Sequence, residues 1–129
     1  ALHKAASNGH DLVVKLLLDG SADVNALNIT GSTALHLACR GGFLSVAQAL
    51  IARVVDVNIK DHLGWTALHE AAEIGHEPLI WLLVNNGIDV DSLNFEGHTA
   101  LHRAAEGGRV NVVQLLLQQG ADVNMRTFT

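Results

Sequence analysis

The sequence predicts an all-α fold, a solenoid of stacked helix–turn–helix units. Three observations predict it. First, five columns of residues recur every 33 positions without insertion: Leu2, Leu35, Leu68 and Leu101; His3, His36, His69 and His102; Gly9, Gly42, Gly75 and Gly108; Gly31, Gly64 and Gly97; and Asn25, Asn58, Asp91 and Asn124. A fixed period of this length marks a repeat architecture. Second, two apolar stretches within each period carry helical spacing. Third, both stretches are too short for a helix to hide its apolar face alone, so stability must come from neighbouring units. The row reads as one domain, 1–129, with units at about 1–27, 28–60, 61–93 and 94–126, and 127–129 opening a further one.

Each element follows from local chemistry. Thr33, Thr66 and Thr99 precede the first apolar stretch, where a hydroxyl can accept a free N–H of the opening turn. The first helices are expected from Ala34 to Cys39, Ala67 to Ala72 and Ala100 to Ala105, with small alanines that let neighbouring backbones approach. Gly42, Gly75 and Gly108 stop them in left-handed geometry. The second helix shows its apolar face in Val112, Val113, Leu115, Leu116 and Leu117, with Gln114 and Gln118 outward. Val13, Val14, Leu16, Leu17 and Leu18 repeat this pattern around an outward Lys15. Pro78 falls in a first helical turn, where its missing N–H is harmless. Gly120 and Asp122-Val123-Asn124 then turn the chain toward the next unit, and Asn25, Asn58 and Asn124 are expected to fix these turns by local side-chain bonds.

The segments Thr33-Ala34-Leu35-His36-Leu37-Ala38, Thr66-Ala67-Leu68-His69-Glu70-Ala71 and Thr99-Ala100-Leu101-His102-Arg103-Ala104 resemble the helix-start motif of ankyrin repeats. Gly120-Ala121-Asp122-Val123-Asn124 resembles the turn signature of that family. The resemblance spans the whole chain. It implies a β-turn finger projecting from each junction between units, and a protein-binding role without catalysis. It leaves undecided whether asparagines of the turn column are hydroxylated, as some are in members from animal cells. Two departures stand out. Ala1, Ala34, Ala67 and Ala100 replace the usual proline, at little expected loss. Val54 and Val55 replace Gly-Ala, which predicts a strained turn at Val54; Gly20 and Ser21 make a milder shift in the first unit. With neither outer unit polar on its stacking side, the chain reads as a segment of a longer array.

Composition narrows the function. The chain is 49% hydrophobic and 16% charged, with 13 acids, 8 bases and a net charge of −5, which disfavours nucleic acid. The longest apolar run, Leu79 to Val84, is far below the roughly 18 residues that span a bilayer, so no membrane insertion is expected. A single cysteine, Cys39, allows no internal disulfide and favours a reducing compartment, the cytoplasm or alternatively the nucleus. Asn28-Ile29-Thr30 fits a glycosylation acceptor but is expected to be silent. No enzyme chemistry emerges. The column of His3, His36, His69 and His102 is spaced by stacked helices about 8–10 Å apart, too far for one metal ion at about 2 Å per bond, and is expected to bridge units by hydrogen bonds. Cys39 takes the place of an alanine and reads as a small buried side chain. The glycines match no phosphate-binding pattern. No cofactor, metal or small-molecule substrate is expected.

The resemblance places partner contacts on the fingers and the first-helix face. The finger residues are Ile29 and Ser32, then His62, Leu63 and Trp65, then Phe95, Glu96 and His98; the helix face adds Arg40, Glu73 and Ile74. Of five aromatic residues, Trp65, Phe95 and Phe128 fall on finger positions, and exposed aromatics in a cluster mark interface hot spots. The competing reading is that the fingers pack these side chains against each other. Trp65, Leu63, Ile74 and Phe95 are the expected anchors, with Glu73, Glu96 and Glu106 favouring a basic rim. Trp81 stands where the second helix is otherwise polar and outward. The alternatives to a free-standing interaction module are a targeting segment of a larger enzyme or channel and a structural spacer that stacks end to end.

Overall fold

The computed structural model describes residues 1–53 and 56–122. The strain expected at Val54, and the expectations for Asn124 and Phe128, lie outside the described residues. Eight helices follow one another among them: α1 (Leu2–Ser7), α2 (Asp11–Asp19), α3 (Ala34–Gly41), α4 (Leu44–Ile51), α5 (Ala67–Ile74), α6 (Glu77–Asn85), α7 (Ala100–Glu106) and α8 (Val110–Gln118). The odd-numbered helices pack in one row and the even-numbered ones in a second, each pair joined as a hairpin. The core runs between the rows. The small residues Ala34, Ala38, Ala67, Ala71, Ala100 and Ala104 are buried along the first, and Val46, Leu50, Leu79, Leu83, Val112 and Leu116 along the second.

The threonine caps form as expected, and histidine completes them. The Thr66 hydroxyl accepts the His69 N–H, while the His69 Nδ1 accepts the Thr66 N–H at 3.1 Å. Thr33 with His36 and Thr99 with His102 repeat this reciprocal box. It satisfies orphan donors at the helix start in the way that Ser/Thr paired with Glu/Gln does elsewhere. Because Nδ1 accepts, the ring proton sits on Nε2. That proton is donated to the next unit: His36 to the Trp65 carbonyl at 2.8 Å and His69 to the His98 carbonyl at 2.9 Å. One imidazole thus caps its own helix and pins the following finger. His3 differs, because its helix is capped by Ala1, which has no hydroxyl, and its Nε2 meets the Ala26 carbonyl at 2.8 Å instead.

Gly42 and Gly75 end α3 and α5 in left-handed geometry, with φ of 74° and 73°, and both helices run two residues beyond the expected limits. Pro78 lies in the first turn of α6, where the His76 ring accepts the Leu79 N–H. On α2 the expected apolar face is only half used: Val14 and Leu18 are buried, whereas Leu12, Val13 and Leu16 are exposed. Asn58 acts differently from the sequence reading. Local bonds come from Asp23, Asp56 and Asp89, which accept the N–H groups of Asn25, Asn58 and Asp91. The Asn58 side chain reaches across to the next unit and accepts the Asp89 N–H at 2.8 Å, and Asp91 does the same for Asp122.

Candidate partner-binding surface

The loops ahead of α3, α5 and α7 form three finger turns of common design. At the base of each, Asn28, Asp61 or Asn94 exchanges a backbone bond with Ser32, Trp65 or His98: Asn28 N–H to Ser32 carbonyl at 3.0 Å, Asp61 to Trp65 at 3.0 Å and Asn94 to His98 at 2.8 Å. The side-chain oxygen of the same residue accepts two N–H groups inside the loop. For Asp61 these are Leu63 and Trp65, each at 2.9 Å; Asn28 and Asn94 act alike. Gly31, Gly64 and Gly97 take the positive φ that closes the turn. Adjacent fingers are tied by backbone bonds of 3.0 Å, His62 N–H to the Thr30 carbonyl and Phe95 N–H to the Leu63 carbonyl. The Asn28, Asp61 and Asn94 column repeats every 33 residues and was readable as a turn-forming series, but sequence analysis passed over it.

The rigid fingers present Ile29, Leu63 and Phe95 at their tips, 94%, 65% and 65% exposed. His62 and Glu96 stand beside them, also exposed. His62 lies across Gly31 and Phe95 across Gly64: a Cβ on Gly64 would come within 2.6 Å of both the Phe95 ring and its backbone nitrogen. The packing reading of the aromatics therefore holds at Phe95, whose ring rests on the preceding finger while much of the side chain still faces solvent. Ser32, expected on the contact face, is fully buried. Its N–H is held by Asn28 and its hydroxyl lies 3.1 Å from that of Thr30, so it belongs to the finger's base.

Trp65 is half-buried. Its ring sits 5.8 Å from that of His69, and the Arg103 guanidinium lies 4.9 Å over its face. Arg103 is held there by Glu73 at 2.9 Å and by Glu106 at 3.7 Å. Arg40 makes a two-pronged bond to Glu70, at 2.8 and 3.3 Å, and Glu70 is buried. The charges of the first-helix face thus largely answer one another, and among the expected acidic rim Glu96 is the member without an ion pair among the described residues. Pairs 30 residues apart leave no local signature, which is why the sequence did not announce them. Ile74 is partly buried against Gly42 of the preceding unit. His98 is largely enclosed, with Nδ1 buried and unbonded and 3.9 Å from a Glu106 oxygen.

Cys39 is fully buried, and burial pushes its thiol far above the usual range, away from the thiolate that reactivity requires. Among the described residues no group of three or more His, Cys, Asp or Glu side chains is placed to hold a metal ion. No helix among them is long and apolar enough to cross a membrane.

Helical hairpins in a row, joined by turns that are hydrogen-bonded to one another, define a helical-repeat scaffold. The chain matches the family model described as Ankyrin repeats (3 copies) over residues 1–61 and again over 40–127. It belongs to the ankyrin repeat family, whose repeats are in general protein–protein interaction modules. A comparison with curated proteins gives no match.

Proposed function

We propose that the chain is a non-catalytic module that takes a protein partner on its fingers and first-helix face, without nucleic acid or a small-molecule substrate. The observation that carries this reading is the ridge of Ile29, Leu63 and Phe95. Three large apolar side chains are kept in water at the tips of loops whose backbone groups are bonded within and between fingers. The core does not need them, and a rigid scaffold lets them bind at small ordering cost. Phe95 and Leu63 are the main anchors, Ile29 and His62 extend the contact, and Glu96 favours a basic residue at one end. Arg40, Glu73 and Ile74 support the floor of the surface. Trp65 shapes that floor under Arg103 and is a secondary contact.

The test starts with partners captured by the wild-type array and measures each by titration against Leu63→Ala/Phe95→Ala. Both side chains are exposed, so the fold is expected to persist by circular dichroism. Two lost anchors predict a drop of roughly 30-fold or more. A partner that binds the folded double variant with wild-type affinity removes this surface from the reading.

A further inference from the structure

A second surface on the opposite row of helices carries an independent inference. Trp81 on α6 is 41% exposed, at a position filled by Lys15, Gln48 and Gln114 in the other units. It borders a cleft of about 170 Å³ between α6 and α8, lined also by Glu77, Asn111, Gln114 and Gln118. Glu77 lies one helical turn before Trp81, so carboxylate and indole share a face of α6. Neither the Glu77 carboxylate nor the Trp81 indole N–H has a bonding partner among the described residues. Arg109 borders the adjoining cavity with Glu77 but directs its Nη2 to the Glu73 carbonyl at 3.2 Å.

We propose that this cleft is a seat for an arginine side chain of a protein partner. An open carboxylate next to an exposed aromatic face on a chain of net charge −5 attracts a cation, and the planar guanidinium suits the pair best. It stacks on the indole, turns its N–H fork to Glu77, and offers further donors to the amide oxygens of Asn111 and Gln114. The chain itself shows the same chemistry on its other side, where Arg103 lies over Trp65 with Glu73 and Glu106 on its N–H groups. The volume suits one side-chain head, being below the ~300 Å³ typical of small-molecule pockets. The aperiodic Trp81 makes this seat specific to one junction in the row.

The experiment titrates a blocked Gly-Arg-Gly tripeptide, and its neutral citrulline counterpart, into the ¹⁵N-labelled chain while following the two indole N–H resonances, assigned with Trp81→Phe. The expected result is a saturable shift of the Trp81 resonance with the arginine peptide, a weaker response to citrulline, and affinity lowered about two- to fivefold in Glu77→Gln. Glu77 is exposed, so this variant keeps the fold. Equal responses to arginine and citrulline, a shift confined to Trp65, or an unchanged affinity in Glu77→Gln would each overturn the proposal. None of these outcomes bears on the finger surface, which is tested with different variants.

Discussion

Acid should unfasten this array at its histidine caps, and His69 is where the effect can be measured. Its Nδ1 accepts the Thr66 N–H and its Nε2–H is spent on the His98 carbonyl, so a second proton must displace the Thr66 N–H and turn the Thr66 hydroxyl, 2.9 Å from Nδ1, into an acceptor. Burial pulls the His69 pKa from 6.5 down to about 4, helped by the positive charges of Lys60 and Arg103 and opposed by the bond to His98 and by Asp61. A group whose pKa is lower in the folded than in the unfolded state binds its proton more readily when unfolded. Its stabilising contribution is therefore complete above about pH 6.5 and disappears as pH falls to about 4. Worked between those two values, His69 should withdraw about 2 kcal/mol of stability at pH 5 relative to neutrality. His36, also lowered mainly by burial, acts in the same direction. The assay is urea unfolding of wild type and His69→Gln at pH 7.5 and pH 5.0. Glutamine keeps an acceptor for the Thr66 N–H without titrating. The wild type should lose about 2 kcal/mol more than the variant on acidification. Equal losses in the two proteins would show that the imidazole is not held neutral by this double engagement.

Two further predictions concern backbone geometry. Ser21 has φ of 71° in the turn column that Gly87 and Gly120 occupy with φ of 84° and 89°, so Ser21→Gly should stabilise the array by about 1 kcal/mol, read as a higher denaturant midpoint; no gain would mean that the turn tolerates a side chain without strain. Gly87→Ala and Gly64→Ala separate strain from collision. A Cβ on Gly87 meets nothing within 4 Å, whereas one on Gly64 meets Phe95 at 2.6 Å, so the first should cost about 1 kcal/mol and the second clearly more, with Phe95 displaced. Equal costs would refute the close seating of Phe95 on Gly64.

Periodicity made the architecture legible. A column repeated every 33 residues announces the same local task in each unit, so Thr66, His69 and Gly75 could be assigned as cap, bridge and stop before any coordinates. Exposure on α2 was not legible, because Leu16 and Leu115 have the same chemical character and only the neighbours decide that one is exposed and the other buried. The Asn58 reading failed for a related reason. A turn-forming residue type indicates bonding capacity, and here Asp56 takes the local N–H, leaving the Asn58 oxygen for the next unit. The candidate site was legible where it depended on exposure at a loop tip, as at Leu63 and Phe95. It was not legible at Trp65 and Ser32, where Arg103 and Asn28 intervene through the folded geometry.

The division between repeated and unrepeated residues has a physical consequence for binding. Thr66, His69 and Asp61 use their polar atoms within the array, and their equivalents in neighbouring units are largely used the same way. Such groups have little left to offer a partner without loosening the stack, and an unpaired buried donor costs about 1–3 kcal/mol. On the proposed function, recognition comes from positions the stack leaves unengaged. These are the apolar tips Ile29, Leu63 and Phe95, the carboxylate of Glu96, and on the other row Trp81 with Glu77. None of these is one residue type repeated through all units. The first-helix charges lie between the two classes, since Arg103 can serve a partner only by leaving Glu73 and uncovering Trp65. Contact there would exchange one ion pair for another and so select among partners more than add affinity, and on the proposed function the strength of binding rests on the finger tips.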